Sequence, residues 1–451
     1  MLKRIATALW GNFESAQEVK KFAFLASIFG LIIGVYWTLR PIKDSAFGSI
    51  VGGGYLPYAK ILSVLVTVIV VLIYGKLVDM FSRYKVFYGI VTTYAILAGI
   101  FWWCFMDSQI GFANTVANPN RIIGWAFYVW VESFGSLIVA LFWAITTDIT
   151  LPESAKRGFP IIMLLGQLGN IFGPGILNTR RLGLLHSGPI IGICSVLMFI
   201  IVALFYVFCS NMSKSELSGY HQDEDTPDGE PGFFEGIKLL LTHKYLLGLF
   251  FIVSVYELII TILDNHFKQA VYETFASEGL RSAYLSDYAV WVGIISSACV
   301  LLGINNIQRH LGIVVSLILT PLLVLAAVVW IKLNPSSIVS SFWIMTCSKA
   351  VNYALNAPTL KQLYIPTSKD AKYKAQSWIE MFGSRAAKGS ASFVNIQRTT
   401  FVAKFGPMDG ISAFLTMTTA VSFGLVVVWL LVAMFAATAY NKAIKENTIV
   451  C

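Results

Sequence analysis

The sequence predicts an all-α membrane protein of about twelve transmembrane helices in two six-helix halves. Three observations carry that reading. Of the 451 residues, 57% are hydrophobic and 13% charged, whereas an ordinary soluble domain carries roughly 25% charged residues. Apolar runs of the length a bilayer requires recur from one end of the chain to the other, and backbone groups in hydrocarbon must be paired within a helix or a closed barrel. The runs are continuous instead of alternating apolar and polar, which argues against a barrel.

Taken in order, the first 21 residues are mixed and polar (Lys3, Arg4, Glu14, Glu18, Lys20, Lys21) and contain no cleavable apolar core, so a cytoplasmic, interfacial helix is expected there. Six spans then begin near Lys21, Leu56, Val86, Ile122, Phe159 and Pro189. Six more begin near Tyr245, Tyr288, Leu311, Ile338, Ala375 and Ile411. Between the sets lies the one long hydrophilic stretch, Ser210 to Gly236, whose acidic, Pro- and Gly-rich run Gly219 to Gly232 has the composition of a solvated linker. The expected organisation is an N-terminal half over 1–209, a cytoplasmic linker over 210–240 and a C-terminal half over 241–451.

The net charge of +9 is scattered between apolar segments instead of gathered in a soluble basic domain, so nucleic acid is not an expected partner. With both termini cytoplasmic, roughly 18 basic residues fall on the cytoplasmic side against roughly 8 outside, as the positive-inside rule requires. The six cysteines stand far apart, without a C-x-x-C pair or neighbouring His spacing, and suit apolar packing better than metal or redox chemistry. No cofactor is expected.

Weak internal symmetry suggests a duplication. Pro152-Glu-Ser-Ala-Lys156 and Pro366-Thr-Ser-Lys-Asp-Ala-Lys372 occupy matching turns. Each leads into a helix rich in small residues, Gly166-Gln-Leu-Gly-Asn-Ile-Phe-Gly173 or Gly383-Ser-Arg-Ala-Ala-Lys-Gly389. Such residues signal close helix packing. Gly383 to Ser390 is not a phosphate loop, because Lys388 precedes Gly389 where G-x-x-x-x-G-K-S needs the reverse, and no strand leads into it. Gly75-Lys-Leu-Val-Asp-Met-Phe-Ser-Arg-Tyr-Lys85, between the second and third spans, resembles the signature turn of major-facilitator transporters, in which two six-helix halves bind substrate near the midplane.

Ionisable residues inside apolar runs cost about 2.5–3.5 kcal/mol each on insertion scales and therefore mark cavities or pairs. The candidates are Arg40, Lys43, Glu132, Glu257, Lys349, Lys361, Arg385 and Lys388. Six cations against two carboxylates favour a polyanionic small molecule, since Lys and Arg can replace the hydration of phosphate oxygens. Tyr36, Trp37, Tyr128, Trp130, Phe134 and Trp143 lie near these charges, with Tyr36, Trp37 and Phe134 the candidates for stacking a nucleobase. The five histidines stand apart and form no hydrolytic cluster, so an enzyme is not expected.

With these positions identified, the chain resembles the non-mitochondrial ATP/ADP translocases of plastids and obligate intracellular bacteria. The resemblance runs nearly end to end. It is carried by Leu39-Arg-Pro-Ile-Lys-Asp44, Ser82-Arg-Tyr-Lys-Val-Phe-Tyr88, and Phe142-Trp-Ala-Ile-Thr-Thr-Asp-Ile-Thr150 with Glu153, Ala155 and Lys156. Ser348-Lys349, Leu360-Lys-Gln-Leu-Tyr-Ile-Pro366, Lys372-Tyr-Lys374 and Ser384-Arg-Ala-Ala-Lys-Gly-Ser390 complete it. It implies that Lys43, Glu132, Glu257 and Lys361 are required for transport, and that the chain exchanges ATP for ADP. Alternating access between the two halves, a bacterial inner-membrane location and, for a bundle of this size, a monomeric state are expected with it. NAD, another nucleotide or a sugar phosphate, with or without protons, is the alternative cargo. The sequence departs from the family at Ser254-Val-Tyr-Glu257, and Thr261 stands where the family carries Lys.

Overall fold

Every regular element of the structure, a computed structural model, is helical among the described residues, which are 13–450 apart from 14, 214–232, 303–304, 369–374 and 380–382. The expected linker therefore lies largely outside the described residues. Nine segments among those described are long and apolar enough to cross a membrane. The first, Ala16–Leu77, contains two helices. Counting these separately, and adding a broken tenth helix and a polar eleventh one, yields the helix order the sequence predicts.

The chain forms two units. Unit 1 comprises 1–55, 65–225 and 275–293; unit 2 comprises 56–64, 226–274 and 294–451. In unit 1, α1 (Ala16–Phe47) starts at Ser15, whose hydroxyl accepts the backbone N–H of Glu18 at 2.9 Å. This is an N-cap at a Ser-x-x-Glu start. Residues 16–21 are helical as expected, but they are the first turns of α1, continuous with the first span and with Glu18 and Lys21 buried. Glu18 is buried against Arg157 (2.9 Å), and the Lys21 ammonium donates to the Ile149 carbonyl. Burial of the first turn explains why its charges are compatible with a continuous span.

α1 runs through Pro41 and ends in a π turn, Gly48–Gly52, and a 3-10 turn, Gly53–Tyr55. Gly52, at φ 115°, supplies a backbone conformation that side-chain-bearing residues resist. Next come α2 (Leu56–Met80), α3 (Arg83–Met106), α4 (Ile122–Asp148), α5 (Pro152–Ile176) and α6 (Gly188–Asn211). The signature turn between α2 and α3 is tight, and Arg83 joins Asp148 at the end of α4 at 3.0 Å. On α2, Leu65, Ile69, Leu72 and Ile73 form an exposed apolar stripe, as a lipid-facing helix requires. The loop between α3 and α4 is clasped by Arg121, whose guanidinium donates to the carbonyls of Ile110, Gly111, Asn114 and Val116.

The small residues of α5 do what their spacing predicts. A Cβ on Gly169 would stand 2.2 Å from the Gly30 carbonyl oxygen, and one on Gly173 would stand 2.4 Å from that of Gly34. The backbones of α1 and α5 therefore touch, a packing available only to glycine. The matching stretch of unit 2 behaves differently: Gly383 faces the Phe250 ring and Gly389 faces open space.

Unit 2 contains α7 (Phe233–Thr242), α8 (Lys244–Thr274), and the end of α9 (Glu278–Leu301), most of which, through Gly293, belongs to unit 1. α10 (Asn305–Leu333) is kinked at Gly312, where φ is 81°. The tenth span is interrupted: α11 (Ile338–Val351) passes through a π segment, Asn352–Asn356, into α12 (Ala357–Leu363). α13 (Ser384–Phe405) ends at Gly406 (φ 85°), and α14 (Pro407–Glu446) is the last helix. The turn at Gln376–Trp378 is the described part of the stretch that the sequence assigned to the start of the eleventh span.

Candidate functional site

In unit 1, α1 and α4 bring Lys43 and Glu132 together. Lys43 is 3% exposed, and its ammonium pairs with the Glu132 carboxylate, which stays partly accessible. The carboxylate of Asp44 lies 3.6 Å from the same nitrogen, and the Tyr128 ring lies beneath it, 4.3 Å from nitrogen to centroid. Tyr128 is itself fixed by Phe47, with ring centroids 5.3 Å apart. Beside a buried ammonium, a carboxylate and the face of an aromatic ring replace part of the lost hydration, the ring through its quadrupole.

The aromatic candidates of unit 1 differ in access. Tyr36 and Trp37 are half-buried, with centroids 6.2 Å apart and edge to face. The Arg40 guanidinium covers Trp37 at 4.9 Å. Tyr36 fits only because residue 135 is glycine: a Cβ there would lie 2.1 Å from its ring. Phe134 is fully buried, edge-on to Tyr94 at 5.5 Å. Trp130 is buried as well, and half-buried Trp143 packs on Phe29 and Phe159.

In unit 2, Glu257 on α8 pairs with Lys388 on α13 at 3.4 Å. Lys361 is exposed on α12, just beyond the π segment, and Arg385 is half-buried one turn before Lys388 on α13. Lys349 closes α11.

Lys349 points to residues that the sequence reading did not single out. Its ammonium donates to Oδ1 of Asp264 at 3.2 Å, while Lys268 at 2.8 Å and Lys60 at 3.1 Å share Oδ2. Only Asp264 and Lys268, four residues apart on α8, could have been found by spacing. Lys60 comes from the start of α2, and its part in the cluster is a fact of tertiary structure.

A second network missed by sequence joins α9 to unit 1. The buried Glu278 carboxylate accepts the hydroxyls of Ser45 (2.5 Å) and Ser187 (2.6 Å) and the backbone N–H of Ser187 (2.7 Å). Asn178 donates to Asp287 at 3.1 Å, and Arg180 pairs with the same carboxylate.

Known proteins resemble this chain over nearly its whole length. The family model described as TLC ATP/ADP transporter matches residues 2–440. ADP,ATP carrier protein 1 of Rickettsia prowazekii (strain Madrid E) is 24% identical over 479 residues, covering 95% of either chain. ADP,ATP carrier protein 1 of Chlamydia muridarum (strain MoPn / Nigg) is also 24% identical, over 94% of this chain and 89% of its own. Among solved structures, the POT family transporter PepTSo superposes with a TM-score of 0.64 at 11% identity, covering 94% of this chain and 98% of that one. That likeness concerns the fold, which is the major-facilitator type. With the family model spanning nearly all of its length, the chain belongs to the TLC ATP/ADP transporter family.

Proposed function

We propose that the chain exchanges ATP for ADP across a bacterial inner membrane, as a monomer with both termini cytoplasmic, by opening a substrate site alternately to either side. It is a secondary transporter and not an enzyme, as its family is. The observation that carries the residue assignments is the Lys43–Glu132 pair, an ammonium and a carboxylate joined deep within two apolar helices.

In unit 1, Lys43 is the phosphate-binding group and Glu132 its exchangeable counter-ion. A phosphate oxygen displaces the carboxylate, so binding and release are both possible without leaving a bare charge in hydrocarbon. In unit 2, Lys361, Arg385 and Lys388 supply the cations, with Glu257 holding Lys388 in the same exchangeable manner. Tyr36 and Trp37, each partly accessible, are the better base platforms; Phe134 already lies within the unit's aromatic core. An exchanger also needs slow reorientation when no substrate is bound, and buried ion pairs that must break supply such a barrier.

The direct test is uptake of radiolabelled ATP into proteoliposomes preloaded with ADP, beside liposomes without it. Uptake that requires internal ADP is expected. Lys43→Ala and Lys361→Ala, at normal membrane levels, are expected to lower that uptake at least about tenfold, the effect of losing a charge-assisted hydrogen bond. Full uptake in both variants rules out the lysine assignments. Absence of ATP uptake by folded wild-type protein, with competition by NAD or a sugar phosphate, transfers the reading to another organic anion.

A further inference from the structure

We propose that the three lysines gathered on Asp264 form the docking site for the terminal phosphates of the nucleotide, with Asp264 the counter-ion those phosphates displace; this rests on the nucleotide reading above. The cluster lies wholly in unit 2 and is assembled from three separate helices: Lys60 on α2, Asp264 and Lys268 on α8, and Lys349 on α11. All four side chains are between 10% and 14% exposed.

The geometry suits a phosphoryl group. Three ammonium nitrogens stand within 3.2 Å of one carboxylate, two of them on the same oxygen. A carboxylate has two oxygens and one negative charge. A terminal phosphoryl group has three oxygens and more charge, so it can take one donor on each oxygen where Asp264 must double up. The lysines are thus already positioned around a place that an anion occupies, with Asp264 as the resident one.

The placement along α8 also fits. Asp264 lies seven residues after Glu257, two turns along and on the same face. The rise between them is about 10.5 Å, comparable to a ribose with its phosphate chain. One face of α8 therefore carries Glu257, already proposed to take part in transport, and beyond it a cluster with the chemistry for the far end of the same substrate. Lys349 leads directly into the π segment Asn352–Asn356 and α12, so a phosphate held by Lys349 is connected through one interrupted helix to Lys361. Interrupted helices of this kind are frequent at functional sites.

The test compares Lys268→Gln, Lys349→Gln and Asp264→Asn with wild type in purified full-length protein and in proteoliposomes. ATP, ADP and AMP are each used to compete with radiolabelled ATP, and inorganic tripolyphosphate binding is followed by thermal shift. Each lysine variant is expected to lose about tenfold or more of its affinity for ATP, while its affinity for AMP changes less than threefold. Tripolyphosphate is expected to stabilise wild type and not these variants. Asp264→Asn keeps the ammonium groups and removes their competitor, so KM for ATP is expected to fall several-fold with a matching fall in kcat, because release becomes the slow step.

Equal loss of ATP and AMP in the lysine variants overturns the assignment, as does an unchanged KM in Asp264→Asn. Should the lysine variants fail to fold, Asp264→Asn decides alone. If wild type binds tripolyphosphate through this cluster yet exchanges no adenine nucleotide, the phosphate site stands and the choice of nucleotide as cargo falls.

Discussion

A buried lysine is tolerable only where something stands in for water, and the residues around Lys43 show how little is needed. One carboxylate and one aromatic face suffice, with Asp44 beside them. The same principle, applied to glycine, governs close packing. Gly169→Ala would place a methyl carbon 2.2 Å from a backbone oxygen that cannot swing aside. We expect this substitution to cost about 1–3 kcal/mol or more by overpacking and to lower the melting temperature in detergent. Gly389→Ala, inside α13 with nothing within 4 Å, is expected to hold that temperature or raise it, since Ala favours the helix over Gly. Melting curves of the two variants read this directly. At this scale the sequence was informative wherever a charge interrupts an apolar run, so Lys43, Glu132 and Glu257 were legible. Asp264 and Lys268 were not, because Asp264-Asn-His-Phe-Lys-Gln269 looks like the polar end of a span instead of its buried continuation. Lys60 carries no local signal at all; its role depends on where α2 begins in space.

Among the elements, the interruptions are more telling than the regular spans. The π turns Gly48–Gly52 and Asn352–Asn356 each follow a helix that carries a phosphate-binding candidate, Lys43 in one case and Lys349 in the other. A π segment holds one residue more than the α-helix it replaces. Deleting the buried Ala354 is expected to leave an ordinary α-helix that keeps α12 on its present face while removing the wider π turn. Loss of that turn is expected to lower ATP/ADP exchange while the protein still reaches the membrane; uptake and membrane immunoblots on the same preparation separate the two effects. The positions of the spans were readable from hydropathy, since length and apolarity alone decide what crosses a bilayer. The π turns were not, because Gly-Ser-Ile-Val-Gly and Asn-Tyr-Ala-Leu-Asn differ little from ordinary helix interiors in composition. The first turns of α1 were misread for a related reason: their charges look solvated in sequence and are buried by Arg157 and the Ile149 carbonyl in the fold.

For the whole molecule, the distribution of charge along the sequence carries the topology expectation, since it responds to the membrane as a whole. Roughly 18 basic residues on one side against roughly 8 on the other predict cytoplasmic termini. A C-terminal fusion to a fluorescent protein is therefore expected to fluoresce and one to alkaline phosphatase to be inactive; the reverse pattern would invert the topology. The division into units shows something hydropathy does not. Residues 275–293 associate with unit 1 and 56–64 with unit 2, because contacts such as Ser45 and Ser187 on Glu278, or Lys60 on Asp264, draw short segments away from their neighbours in sequence.

The touching backbones of α1 and α5 have a mechanical consequence. Backbone meets backbone at Gly30, Gly34, Gly169 and Gly173, and the Phe22 and Phe29 rings of α1 fill the space over Gly158 and Gly166 of α5, so the two helices interlock as one strut. From Lys43 to Glu18 that strut spans about 38 Å at helical rise, and it ends where Arg157 of α5 grips Glu18 of α1. A displacement imposed on Lys43 by an arriving anion is expected to pass along this strut toward the Ile149 carbonyl held by Lys21. The compliance of unit 1 is left to the π and 3-10 turns at Gly48–Tyr55, the hinge at the other end of the lever.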